Sequence, residues 1–243
     1  MKFLCLPGAF SSAAHFNTQL QPLISRLEKQ GIGQFTFTQG QHETPPPPGF
    51  EQYFGPPPVY RFIDFHGLYE DIRSFPAGEE HEDTMRLFVD NPDHCTWSSV
   101  VDAMDVLFQI IEADPDIQGI LGYSEGAYIA ATLVMEEARR AARDGQPRRI
   151  KCAIFIGGWP PLYERKGGVS VLLADETEER VDIPTLHVMG CDDPFLAGAM
   201  SLYNMCDEES AELIDHGKGH TVSRDADIIE LICDAISRLV NKA

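Results

Sequence analysis

Gly122-Tyr123-Ser124-Glu125-Gly126 is a G-x-S-x-G. A serine hydroxyl is a weak nucleophile on its own, so the motif carries chemistry only where the chain presents the side chain from a tight turn. Here the apolar run 117–121 precedes it and a helix-patterned run, 127–143, follows. Strand, turn and helix are the setting of a nucleophile elbow, in which the flanking glycines remove side chains that would meet the neighbouring strand and helix. Ser124 is therefore the candidate nucleophile, and acyl transfer from an ester or thioester the candidate chemistry.

Such a serine needs a base, and the base needs a carboxylate to fix its tautomer. In strand–turn–helix hydrolases these follow in the order Ser, Asp or Glu, His, each after a later strand. The apolar run 185–189 ends in Gly190-Cys191-Asp192-Asp193-Pro194, where two adjacent carboxylates compete and only one can face the histidine. The run 211–214 enters Asp215-His216-Gly217-Lys218-Gly219-His220. His220, beside a glycine at the end of that loop, is favoured over His216, which follows the strand too closely. The oxyanion calls for two backbone N–H groups: Glu125, directly after the nucleophile, and a donor from Pro7-Gly8-Ala9-Phe10, with Ala9 the first choice and Phe10 the second.

The remaining histidines read differently. His187 lies inside an apolar strand, as a core residue satisfied by a hydrogen bond; His15, His42, His66, His81 and His94 read as surface or lid residues. His81-Glu82-Asp83 has no companion ligands at zinc or calcium spacing, so neither a metal nor another cofactor is expected.

Placing these groups together requires alternating strands and helices. Residues 1–6, 34–38, 117–123, 152–156, 185–189 and 211–214 read as strands. Residues 13–29 form a helix with Phe16, Leu20, Leu23, Ile24 and Leu27 on one face. Residues 97–112, capped by Thr96, and 225–240 are further amphipathic helices. The alternation predicts a mostly parallel central sheet flanked by helices, in one α/β domain over 1–243. Residues 39–95 interrupt it, with seven prolines between Pro45 and Pro58 and interleaved Phe50, Tyr53, Phe54, Tyr60, Phe62 and Phe65. So long a connection reads as a lid or pocket insertion. Tyr53, Phe54, Tyr60 and Phe62 would be walls for an acyl group, with Phe10 and Tyr123 beside the reacting atoms. The competing readings are a stiff surface loop and a polyproline ligand.

The 243 residues carry 19 Lys and Arg against 38 Asp and Glu, a formal charge of −19. That excludes nucleic acid and anionic membrane as partners, since both are bound through clustered cations. No run approaches the ~20 apolar residues of a membrane span, and 3–6 is too short for the ~7–15-residue core of a signal peptide. The six cysteines show no C-x-x-C spacing and several sit in apolar runs, as expected of buried reduced thiols in the cytoplasm. Arg139, Arg140, Arg143, Arg148, Arg149 and Lys151 are either cations suited to a helix C-terminus or a dock for an acidic partner.

Four segments, LCLPGAF, GYSEGA, GCDDPF and HGKGH, resemble in order the opening strand and oxyanion loop, elbow, acid loop and terminal histidine loop of the fungal serine hydrolase (FSH) family. This family is also called the ovarian-cancer-gene-2-like hydrolases, a branch of the α/β-hydrolase superfamily. The resemblance runs nearly end to end and implies an α/β-hydrolase fold, with the catalytic roles on Ser124, Asp193 and His220. It departs at Pro7-Gly8, where the family usually has His-Gly, and the poly-proline run looks like an extension. Family members are often encoded beside polyketide synthases and release or edit acyl chains held on an acyl carrier protein; others are small esterases. The resemblance thus implies a small-molecule acyl ester or thioester substrate, with an acyl carrier protein as partner and thioester release in secondary metabolism as the favoured role. Acyl transfer or cyclisation would use the same three residues. A non-catalytic binding module would normally have lost one of them, and none is visibly lost.

Overall fold

The apolar runs form the strands and helices of a computed structural model that describes residues 1–46, 48–49, 51–64, 78–89, 96–165 and 168–243. In chain order the first elements are β1 (Lys2–Leu6), α1 (Ala13–Lys29), β2 (Gln34–Phe37), β3 (His42–Glu43) and β4 (Tyr60–Arg61). Then come α2 (His81–Val89), α3 (Trp97–Ala113), β5 (Ile117–Tyr123), α4 (Glu125–Asp144) and β6 (Cys152–Ile156). The chain continues with β7 (Leu162–Arg165), β8 (Gly168–Val171), β9 (Thr185–Met189), α5 (Leu196–Asn204), β10 (Ala211–Asp215) and α6 (Ala226–Lys242).

Six strands pair in the order β10-β9-β6-β5-β1-β2, every pair parallel. From β1 the chain winds outward to β2, then returns to β5 and winds the other way through β6, β9 and β10. The order reverses between β1 and β5, and ligand sites in open parallel sheets form at the carboxyl ends of strands at such a switch. Alternate residues of β1 supply the two faces: Leu4 and Leu6 pack under α3 and α4, while Phe3 and Cys5 pack under α1 and α6. A sheet covered on both sides explains why these strands read as continuous apolar runs.

Several elements are absent from the sequence reading. The β7–β8 hairpin carries Glu164 and Arg165 on exposed positions, which breaks its apolar signal. Helices α2 and α5 have nine residues each, too few turns for a clear periodicity. Helix α4 begins at Glu125, immediately after the serine rather than at residue 127. Within the expected insertion, β3 and β4 form a short antiparallel ladder, and the Thr44 N–H donates to the Val59 carbonyl (3.0 Å), so the proline-rich segment leaves and returns at one point. Phe50, Phe65, His66, His94 and Cys95 lie outside the described residues. The other five cysteines are free thiols, four of them buried. Burial pushes Cys152 and Cys206 up to about 12 and Cys233 to about 11. Cys191 departs from the expectation of burial because it sits in the turn after β9 and is exposed. Among the described residues no helix is long and apolar enough to cross a membrane.

Candidate active site

The turn between β5 and α4 holds Ser124 at φ 53°, ψ −116°. Positive φ is unusual for a residue with a side chain and costs about 1–3 kcal/mol, so the surroundings must impose it. Two glycines show how. A Cβ on Gly122 would lie 2.3 Å from the Gly126 carbonyl oxygen, and one on Gly126 would lie 2.2 Å from that of Leu6. Only bare backbone lets the helix start this close to the strand ends. The Ser124 N–H donates to the Ile156 carbonyl at the end of β6 (2.9 Å), which ties the turn to the neighbouring strand.

His220 Nε2 is 2.9 Å from Ser124 Oγ, and His220 Nδ1 is 2.7 Å from Asp193 Oδ2. Hydroxyl, imidazole and carboxylate thus form one hydrogen-bonded chain over the carboxyl ends of β5, β10 and β9. The Asp193 side chain is only 2 % exposed, and its second oxygen accepts the Phe195 N–H (2.8 Å), whereas Asp192 points to solvent. Of the two adjacent carboxylates, Asp193 is the one that is buried and meets the imidazole. His216 is also buried, but its N–H is held by the Met189 carbonyl (2.8 Å) and its ring packs toward Gly190, below the acid loop. Desolvation there lowers its pKa.

Aromatic rings fix the imidazole. Tyr123 stacks on His220 at 5.3 Å between centroids, and Phe195 meets it edge-on at 5.1 Å. The Tyr123 hydroxyl donates to the His220 carbonyl (3.1 Å), so this side chain braces the histidine loop. Burial, with Asp193 nearby, raises its pKa. His187 lies in the core as expected, with Nε2 3.1 Å from Thr185 Oγ1, and burial lowers it to about 3.

The loop after β1 reaches the serine. A Cβ on Gly8 would stand 3.2 Å from Ser124 Cβ, so this loop runs against the serine turn. Among the described residues neither the Ala9 nor the Glu125 N–H has an acceptor. The Glu125 N–H is also the first of α4, where the helix dipole favours negative charge.

The Glu125 side chain is a feature that the residue order did not disclose. It is 2 % exposed; Oε2 accepts from Arg61 Nε (3.1 Å), and Oε1 accepts from the N–H groups of Phe62 (3.1 Å) and Ile63 (3.3 Å). An acidic residue at a helix start reads as ordinary dipole compensation, and no local signal ties it to a segment 62–64 residues earlier.

The expected pocket walls separate. Phe10 and Phe54 meet edge to face at 5.0 Å, and Phe10 has φ 55°. Tyr60 is half-buried and bonded through its backbone to Ser11. Phe62 is instead a core residue under α3 and α4, and Tyr53 is 71 % exposed, because its short 3-10 turn faces outward. The basic cluster at the end of α4 is matched by acids: Arg139 with Glu179, Arg140 with Glu136 and Asp105, Arg143 with Asp144, Arg148 with Asp182. Arg149 and Lys151 donate to the carbonyls of Ile111 and Arg148. Arg143 also stands about 28 Å along the helix from Ser124, at 1.5 Å per residue.

Comparison with known proteins adds the family context. A model of the family described as "Serine hydrolase (FSH1)" matches residues 1–232. "Hydrolase phiM" of Talaromyces stipitatus is 28% identical over 244 residues, covering 98% of this chain and 87% of its own. "Esterase FPY3" of Fusarium mangiferae is 24% identical, covering 100% and 98%. "Thioesterase FSL2" of Gibberella zeae is 24% identical, covering 84% and 77%. Among solved structures, a point variant of Arabidopsis thaliana SOBER1 superposes with a TM-score of 0.57 at 18% identity, over 99% of both chains. The fold is that of the α/β-hydrolases.

Proposed function

The chain belongs to the FSH1 serine hydrolase family, and from that footing we propose that Ser124, His220 and Asp193 act as a catalytic triad within a single α/β-hydrolase unit. As a member it is an enzyme acting on ester or thioester bonds. The observation that carries the residue assignment is the unbroken hydrogen-bond chain, 2.9 Å and 2.7 Å, ending on a serine in a strained turn. His220 takes the Ser124 proton as Oγ attacks the acyl carbonyl, and the N–H groups of Ala9 and Glu125 hold the oxyanion. The alcohol or thiol leaves with the proton from the imidazolium. Water, deprotonated by the same histidine, then attacks the acyl-enzyme and releases the acid. Asp193 orients the ring and stabilises its charged form. Ser124→Ala is expected to abolish both turnover and covalent labelling by a fluorophosphonate; undiminished labelling of that variant refutes the assignment.

The finer reading is release or editing of an acyl chain from a carrier-bound polyketide thioester in fungal secondary metabolism, in the cytoplasm. It is supported by the resemblance and by a relative whose printed name is thioesterase. A second reading, a small free ester as substrate, is favoured by the pairing of the α4 arginines with acids and by a relative named esterase. Incubation with a carrier-bound acyl thioester and with the matching free ester separates them: free acid from the carrier supports the first, and turnover of the free ester alone supports the second. A lactone or a new ester among the products would point to cyclisation or acyl transfer.

A further inference from the structure

Residues 60–63 touch both halves of the oxyanion cradle. On one side Tyr60 exchanges two backbone hydrogen bonds with Ser11 (3.1 and 3.3 Å), one residue beyond Phe10. On the other, Glu125 receives the N–H groups of Phe62 and Ile63 and the guanidinium of Arg61. The two charged side chains are 4 % and 2 % exposed. The Arg61 guanidinium also lies 5.3 Å from the centroid of the Phe10 ring, and Phe10 is held at φ 55°.

A buried ion pair is a poor device for stability, because desolvating both charges offsets their attraction. Its placement here has a different physical consequence. The carboxylate belongs to the residue whose own N–H faces the oxyanion, and in a low-dielectric site an unneutralised negative charge there opposes the charge that develops in the transition state. A planar guanidinium can donate to the carboxylate through Nε while its face rests on an aromatic ring, which an ammonium does less well.

We propose that Arg61 and Glu125 are a positioning pair: Arg61 neutralises the carboxylate beside the oxyanion donors, and together the pair sets the spacing between the Ala9 and Glu125 N–H groups. The inference rests on the triad reading above. The two side chains of the pair touch neither the reacting atoms nor the substrate and act only through the placement and electrostatics of the backbone donors, so their effect falls on kcat and not on KM.

The test compares the full chain with Arg61→Met, Arg61→Lys and the double variant Arg61→Met/Glu125→Gln on a short-chain p-nitrophenyl ester. Arg61→Met is expected to lower kcat about 100-fold, the scale of losing one oxyanion donor, with KM within about threefold. Arg61→Lys, which keeps the charge but not the planar fork, falls between that variant and the parent. Adding Glu125→Gln to Arg61→Met returns about tenfold in kcat, since the charge is gone while the amide oxygen still accepts from Phe62 and Ile63. A merely structural clamp predicts the reverse, a double variant no faster than the single one. Should Arg61→Met fail to fold, the charge-free double variant still decides: kcat about tenfold below the parent is expected, and parental kcat overturns the proposal. So does Arg61→Met folded and within about threefold of parental kcat, or a folded single variant that the second substitution does not accelerate. Fluorophosphonate labelling separates the two levels. If Ser124→Ala labels like the parent, the triad reading fails and the pair with it; if the parent labels only at Ser124 and Arg61→Met turns over like the parent, the positioning pair alone fails.

Discussion

Replacing Gly126 by alanine puts one methyl group into the joint between the elbow and β1. Its Cβ would lie 2.2 Å from the Leu6 carbonyl oxygen and 2.5 Å from that of Pro7. Carbon–oxygen contacts settle at about 3.3–3.6 Å, so the shortfall is about 1 Å. Both obstructing atoms are backbone, so no rotamer change relieves the clash. Leu6 is paired with Gly122 in the sheet, and Pro7 begins the loop that carries Ala9. Relief therefore moves that loop away from α4 and widens the gap between the Ala9 and Glu125 N–H groups by a similar distance. A misplacement of about 1 Å at a reacting site costs on the order of 100-fold, while overpacking of this kind costs about 1–3 kcal/mol of stability. Steady-state kinetics on a p-nitrophenyl ester should show kcat/KM about 100-fold lower, with most of the loss in kcat. A thermal melt should show a Tm lower by several degrees. Gly145→Ala supplies the comparison: Gly145 caps α4 at φ 69°, and nothing lies within 4 Å of its added Cβ. That variant is strained by about 1 kcal/mol but keeps kcat. Gly126→Ala with kcat/KM within about threefold of the parent, or an equal loss in Gly145→Ala, would refute the reasoning.

Three further outcomes follow from the same geometry. Asp193→Asn should lower kcat by about 10⁴-fold, because the amide favours the wrong histidine tautomer; Asp192→Asn, exposed beside it, should stay within about twofold. Comparable losses from both would mean that the carboxylate has been misassigned. Tyr123→Phe removes the 3.1 Å bond to the His220 carbonyl. A bond of that kind contributes about 1 kcal/mol, so kcat and the fluorophosphonate labelling rate should fall together by about fivefold, and unchanged rates would show that the stack alone holds the ring. His187 carries a pH signature in stability: burial holds it at about 3, below the ~6.5 of an unfolded histidine, so the unfolded chain binds the extra proton between those values. Stability is therefore lost as pH falls through that window, by about 3 kcal/mol near pH 4. Denaturant melts across this range should show a shallower dependence in His187→Gln than in the parent, and identical slopes would remove His187 from the account.

Much of the site could be read before any coordinates. The elbow is a local object: whether Ser124 sits between a strand and a helix depends on residues within a few turns of it, and their periodicity lies in the chain itself. The strand-end positions of the acid and histidine loops are legible for the same reason. Elements with little local signal were not. The nine-residue α5 and the hairpin of β7 and β8 exist because of what they pack against, and Gly198, in the first turns of α5, leaves room for the Trp159 ring. Tyr53 and Phe62 are both aromatic residues in a proline-rich stretch, yet one is solvent-facing and the other is core. Composition is the same in both places, and burial is what separates them.

The order of residues determined the parallel sheet, the serine turn and the succession of serine, aspartate and histidine loops at strand ends, because those follow from backbone preference and apolar spacing over short spans. Tertiary structure alone decided which of two neighbouring aspartates faces the imidazole, that Tyr123 braces the histidine loop, and that the α4 cations meet acids from distant loops. It also decided that Glu125 reaches back to residues 61–63. These are questions of side-chain direction and of partners brought from far along the chain. No local rule settles them, since burial and charge pairing are set by the whole packed interior.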